Sequence, residues 1–263
     1  MVRIETIEEV HHILLQITKE FHSICENNNI PYYIAYGSML GAVRHEGFIP
    51  WDDDMDVAVE FCYYQKLVDA LKKQLPSKYK LLTRYDKRGA AGGYLKIEDT
   101  TTVVVEKVKK KDENTGIFLD IFTLYPATGN TSFFSRYTVV KLLRLIQVNR
   151  FFRLKTSNKS ILLLRLISKG LFWWLRRYTL INFMEKYIIP KKGEYLCTYS
   201  TLYNKKDIIP KKIYSTPLLY KFENCYLFGV AHPHEYLTTL YGNYMELPPE
   251  EKRRIHLSDM FYK

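Results

Sequence analysis

Trp51-Asp52-Asp53-Asp54-Met55-Asp56-Val57-Ala58-Val59 sets acids against alternating apolar side chains. In a strand, alternate side chains share a face, so Asp54 and Asp56 project together with Cα atoms roughly 6.5–7 Å apart. Met55, Val57 and Val59 then point into a core. Two carboxylates this close repel unless a proton or a cation lies between them. Mg2+ (or Mn2+) suits such a pair, because it is commonly held by one or two carboxylates together with substrate phosphates. Asp120 repeats the pattern in Ile117-Phe118-Leu119-Asp120-Ile121-Phe122. A charge among such neighbours is expensive to bury unless it is paired or bound to metal. An adjacent strand presenting Asp120 to Asp54 and Asp56 would complete a three-carboxylate site. The plainer alternative is a solvated turn at Asp52–Asp54 and an exposed strand position at Asp120.

Elements must carry these acids. Ile7, Val10, Leu14, Ile17, Phe21 and Ile24 recur at helical spacing, behind a capping box of Thr6 and Glu9, and Asn27-Asn28-Asn29 with Pro31 ends that helix. A short strand is expected over Tyr32–Tyr36, a turn at Gly37-Ser38 and a second helix over Ser38–Arg44. Met55–Val59 reads as a strand, Gln65–Leu75 as a helix, and Tyr94–Val108 and Gly116–Phe122 as strands. Gly37 would let a phosphate approach the backbone, and the following helix N-terminus would offer it free N–H groups.

The order strand, Gly-Ser, helix, Asp-x-Asp strand and later strand Asp resembles the nucleotidyltransferase superfamily. The run from Tyr36 to Asp56, YGSMLGAVRHEGFIPWDDDMD, more closely resembles the LicD family, which includes the fukutin-related proteins. Glu235-Tyr236-Leu237, Leu240 to Met245, Pro248-Pro249 and Arg254 resemble that family's tail, with Thr128–Ile189 poorly matched. The resemblance implies a Pol β-like α+β fold, a mixed sheet flanked by helices. It also implies transfer of phosphocholine or a polyol phosphate from a CDP-alcohol donor to a hydroxyl of a lipid-linked or cell-envelope glycan, such as teichoic acid or lipopolysaccharide. Asp54, Asp56 and Asp120 would hold the metal. Gly37, Ser38, Arg44, Asp52 and Lys96 would contact substrate, with Asp52 assisting the acids. Asn243 departs from the family's usual Asp, which bears on substrate choice.

Arg44 follows the phosphate-loop helix, where a guanidinium could stabilise the leaving nucleotide; a surface ion pair is the alternative. Lys96 would face the phosphates or be a solvated edge lysine. His45 is a weaker candidate for a general base, and Cys197, Cys225, His232 and His234 match no usual zinc spacing. The net charge of +11 is local: Arg136–Ile189 holds 12 Lys/Arg against the single acid Glu185, and the remaining 27 basic and 27 acidic residues cancel. This segment, with its Trp173-Trp174 pair, predicts basic amphipathic helices on an anionic membrane surface. Nucleic acid is the less favoured partner. Scattered cysteines, no export signal and no apolar run of about 18 residues predict a cytoplasmic protein peripheral to the inner membrane face. Three parts are expected: a catalytic core over 1–130, a basic helical insert over 131–192 and a short-helix C-terminal region over 193–263. Two rival functions are a true nucleotidyltransferase releasing pyrophosphate from an NTP and a non-catalytic membrane- or RNA-binding module.

Overall fold

The first helix, α1 (Ile7–Asn27), lies along the central sheet because its apolar stripe has nowhere else to go. Val10, Leu14, Ile17 and Phe21 have no exposed surface. Its start is fixed as the sequence predicts: Thr6 accepts from the Glu9 N–H at 3.3 Å, and the Glu9 carboxylate accepts from the Thr6 N–H at 3.2 Å. The computed structural model describes residues 1–86, 94–105, 114–129, 179–198, 204–253 and 259–263, with single helical positions at 138, 163, 166 and 170.

The main sheet runs β2 (Tyr33–Ile34), β3 (Asp56–Glu60), β7 (Phe118–Ala127), β5 (Leu95–Asp99) and β4 (Tyr79–Leu82). β3 and β7 are parallel; the other pairs are antiparallel. The far end of β7 pairs with β8 (Tyr195–Cys197), which pairs with β9 (Ile209–Pro210). Helices α1, α2 (Tyr36–His45) and α3 (Tyr64–Gln74) flank it. A mixed sheet flanked by helices is therefore present, as expected. β5 turns at Thr100-Thr101 into β6 (Thr102–Val105), so the single strand expected from Tyr94 is two.

Two expectations need correction. Gly37 and Ser38 form no turn: they already lie in the first turn of α2, because the strand before it is only two residues long. The C-terminal region is not merely short helices and loops. Besides α5 (Lys211–Tyr214) and α6 (Pro233–Tyr241), it holds a hairpin of β10 (Leu218–Phe222) and β11 (Cys225–Gly229). Its last strand, β12 (Asp259–Tyr262), joins β1 (Val2–Arg3) to β6.

Most of the expected basic insert lies outside the described residues. Its described end is helical, α4 (Thr179–Tyr187). The one acid of the basic segment anchors that end: Glu185 takes Arg84 at 2.7 Å and the Tyr125 hydroxyl at 2.6 Å, with Arg84 only 4% exposed. Among the described residues, no helix is long and apolar enough to cross a membrane.

Candidate active site

The parallel register of β3 and β7 places Asp56 directly beside Asp120, and the antiparallel register of β7 and β5 places Asp120 beside Lys96. Three charged side chains thus stand in one row across three neighbouring strands, about 4.8 Å apart strand to strand. Lys96 is buried and its Nζ lies 2.9 Å from Asp120 Oδ1. The same Nζ sits 3.1 Å from the Phe118 ring centroid, so Lys96 is an interior cation in the middle of the sheet. The solvated-edge alternative is wrong, because β4 rather than β5 occupies that edge.

Asp54 lies two residues before Asp56, the first residue of β3, with Met55 wholly buried between them, and both acids line the same cleft. Asp52, Asp54 and Asp56 line a cleft of about 310 Å³ with Tyr36, Gly37, Leu40, Ile49, Phe122 and Tyr241. Burial, then Asp54 and Asp53, push the Asp52 carboxyl up to about 7. Burial, then Asp54, Asp120 and Asp52, hold Asp56 well above the usual carboxylate range, with Lys96 opposing. Such a cluster cannot ionise fully without a compensating cation.

Among the described residues, no three His, Cys, Asp or Glu side chains form a ready-made metal cage. An open row of acids instead fits Mg2+, which keeps several waters and shares its ligands with substrate phosphates. A second cavity of about 350 Å³, with Arg84 and Glu185 in its lining, holds no such row of acids.

The remaining expected residues divide by role. A Cβ on Gly37 would meet Asp52 Oδ2 at 2.8 Å, so glycine is what lets that carboxylate lie against α2. The Ser38 hydroxyl accepts the Asp56 N–H at 2.8 Å and fixes the start of β3. Arg44 is half-buried outside the lining of the cleft. It donates to His45 Nε2 at 3.0 Å and to the Tyr244 carbonyl at 3.0 Å, tying α2 to the C-terminal segment beside Asn243. Burial and the neighbouring Arg44 lower the His45 pKa, and its Nε2 is already engaged as the acceptor of the Arg44 Nε–H. Asn243 bonds Glu246 at 3.0 Å on the surface.

Sequence reasoning missed the residues that shape the cleft. His11 of α1 stacks on Phe48 at 4.2 Å and bonds the Asp52 carbonyl at 2.7 Å, pinning the acidic loop. Phe122 lies two residues beyond Asp120, and strand alternation could have found it. Tyr36 has φ 48°, left-handed backbone that costs a bulky residue on the order of 1–3 kcal/mol. It is held there by the Tyr236 hydroxyl on its N–H at 3.2 Å and by Thr198 on its own hydroxyl at 3.0 Å.

A parallel strand pair thus presents acids beside a helix that carries Gly37 in its first turn, and the acids line one cleft. The family described as "LicD/FKTN/FKRP, nucleotidyltransferase domain" matches residues 29–142. The lipopolysaccharide cholinephosphotransferase LicD of Haemophilus influenzae is 32% identical over 260 residues, which is 95% of this chain and 96% of that protein. An uncharacterised protein of Rickettsia typhi is 40% identical over 63 residues, 23% of this chain and 20% of its own length. Another from Rickettsia prowazekii is 50% identical over 46 residues, 18% of this chain and 17% of its own. The chain belongs to the LicD family.

Proposed function

We propose that this protein transfers phosphocholine, or a similar phospho-alcohol, from a CDP-activated donor to a hydroxyl of a lipid-linked or cell-envelope glycan. The observation that carries this reading is near-full-length similarity to a lipopolysaccharide cholinephosphotransferase, joined to a cleft lined by Asp52, Asp54 and Asp56. A Pol β-like ancestry of the sheet belongs to the same proposal.

Asp54 and Asp56, with Asp120 beside them, are the groups that would hold Mg2+ or Mn2+. When bound, the metal supplies positive charge to the donor's phosphates. Lys96 holds Asp120 in place and keeps one fixed cation in the row. Asp120 would orient or deprotonate the acceptor hydroxyl. The acceptor oxygen then bonds to the donor β-phosphorus, the anhydride bond breaks, and CMP leaves with that electron pair. His11 and Ser38 keep the acids in register from behind.

The acceptor's lipid suggests where the reaction occurs. Phe183 and Tyr187 on α4 are 48% and 63% exposed, within a segment carrying most of the net charge. Rings and cations together suit an anionic membrane interface, and peripheral attachment to the inner face is part of the proposal.

The deciding experiment supplies CDP-choline, Mg2+ and a lipopolysaccharide acceptor and identifies the small product. Release of CMP with label on the glycan is expected. Pyrophosphate released from an NTP, with CDP-choline left intact, would replace this reading with true nucleotidyl transfer.

A further inference from the structure

Three aromatic rings and three carboxylates share one cleft, an odd lining for a site that only grips phosphates. Phosphate recognition calls for donors and cations, whereas ring faces attract an organic cation. The rings are also built in place. Tyr36 is forced into left-handed backbone and tied at both its N–H and its hydroxyl. Phe122 is wedged between Tyr36, edge-on at 5.2 Å, and Tyr94, stacked at 4.7 Å. Tyr241 closes the wall from the end of α6. Tyr36 and Phe122 are only 6% and 8% exposed, so the part of each that lines the cleft is small and fixed. The negative face of a ring holds a quaternary ammonium without needing a hydrogen bond.

Given the phosphocholine donor proposed above, on which this inference rests, we propose that Tyr36, Phe122 and Tyr241 receive the donor's trimethylammonium group and select it over uncharged alcohols. Its methyl groups and their charge meet the ring faces, while the acids take the metal and the phosphate end of the donor. Leu40 and Ile49 complete the apolar part of the lining. These rings would act as specificity residues, with the acids performing the transfer.

The test compares binding of phosphocholine with its neutral carbon isostere, 3,3-dimethylbutyl phosphate, by calorimetry in the presence of Mg2+. Wild-type protein should prefer phosphocholine. Tyr241→Leu should reduce that preference roughly fivefold to thirtyfold, the range a desolvated cation–π contact supplies. Tyr241→Phe, which keeps the ring, should retain it within about twofold. Should Tyr241→Leu fail to fold, proton NMR on wild-type protein decides: the nine methyl protons of bound phosphocholine should shift upfield and receive saturation from aromatic protons. Equal wild-type affinity for the two ligands, an unchanged preference in folded Tyr241→Leu, or methyl protons with no aromatic contact would each overturn the assignment. Transfer from CDP-choline, assayed in parallel, separates the two levels. Turnover without ring dependence removes only the aromatic wall, whereas no turnover from CDP-choline removes the parent reading and this one with it.

Discussion

Replacing Asp56 by Asn tests whether the acids are poised for a cation rather than for stability. Asp56 faces Asp120 across one strand spacing, and two unit charges about 5 Å apart at an effective dielectric near 20 repel by about 3 kcal/mol. Lys96 offsets part of this through its ion pair with Asp120. Burial first, then Asp54 and this repulsion from Asp120, hold the Asp56 carboxyl well above the usual carboxylate range, and Asn closely mimics its protonated form. The folded pKa is raised above the unfolded value, as it also is for Asp52, at about 7. Their contribution to stability is thus full below the unfolded pKa near 4 and is lost as pH rises through 7 and beyond. In EDTA at pH 4, wild type and Asp56→Asn should melt within a degree or two of each other. At pH 8.5 the variant should be the more stable by at most about 3 kcal/mol, roughly 5–10 °C in Tm for a chain of this size. Thermal melts at both pH values, with and without 5 mM Mg2+, measure this; Mg2+ should raise the wild-type Tm and leave the variant's unchanged. Turnover should fall by roughly a hundredfold to a thousandfold or more. A variant less stable at every pH, or one that keeps near-normal turnover, would refute the reasoning.

Mg2+ binding near pH 6.5 should expel on the order of one to two protons, since Asp52 and Asp56 are both held protonated. Titration calorimetry in two buffers of different ionisation enthalpy reads this, and zero release would contradict a site built on these acids. Glu185→Ala should destabilise the protein by about 3–5 kcal/mol, because it strands the buried Arg84 guanidinium; Tm reports the loss, and a surface-like change under 0.5 kcal/mol would show the anchor to be idle. Phe183→Ser with Tyr187→Ser, or Arg176, Arg177 and Lys169 changed to Gln, should weaken cosedimentation with anionic liposomes and spare turnover on a soluble acceptor. Equal partitioning of wild type to neutral and anionic liposomes would end the membrane proposal.

The sequence alone determined the parts with local causes. The capping box and 3.6-residue stripe of α1 stand as read, because both depend on contacts within a few residues. Asp54 and Asp56 were legible as a same-face pair because strand alternation needs no partner. Family likeness from Tyr36 to Asp56 supplied what spacing could not. Tertiary structure decided which strand lies beside which, and chemistry followed. Only the β3–β7–β5 order brings Asp120 and Lys96 into one row with Asp56, from positions 40 and more residues away. The hairpin stayed hidden because Glu223-Asn224 at its turn is no usual hairpin pair; Glu223 takes φ 54° with the support of Glu46, whose carbonyl accepts its N–H at 2.7 Å. Tyr241 lines the cleft and His11 pins its acidic loop from opposite ends of the chain, on helices whose periodicity reports only which face is buried. What a buried face meets depends on long-range packing, and no local pattern encodes it.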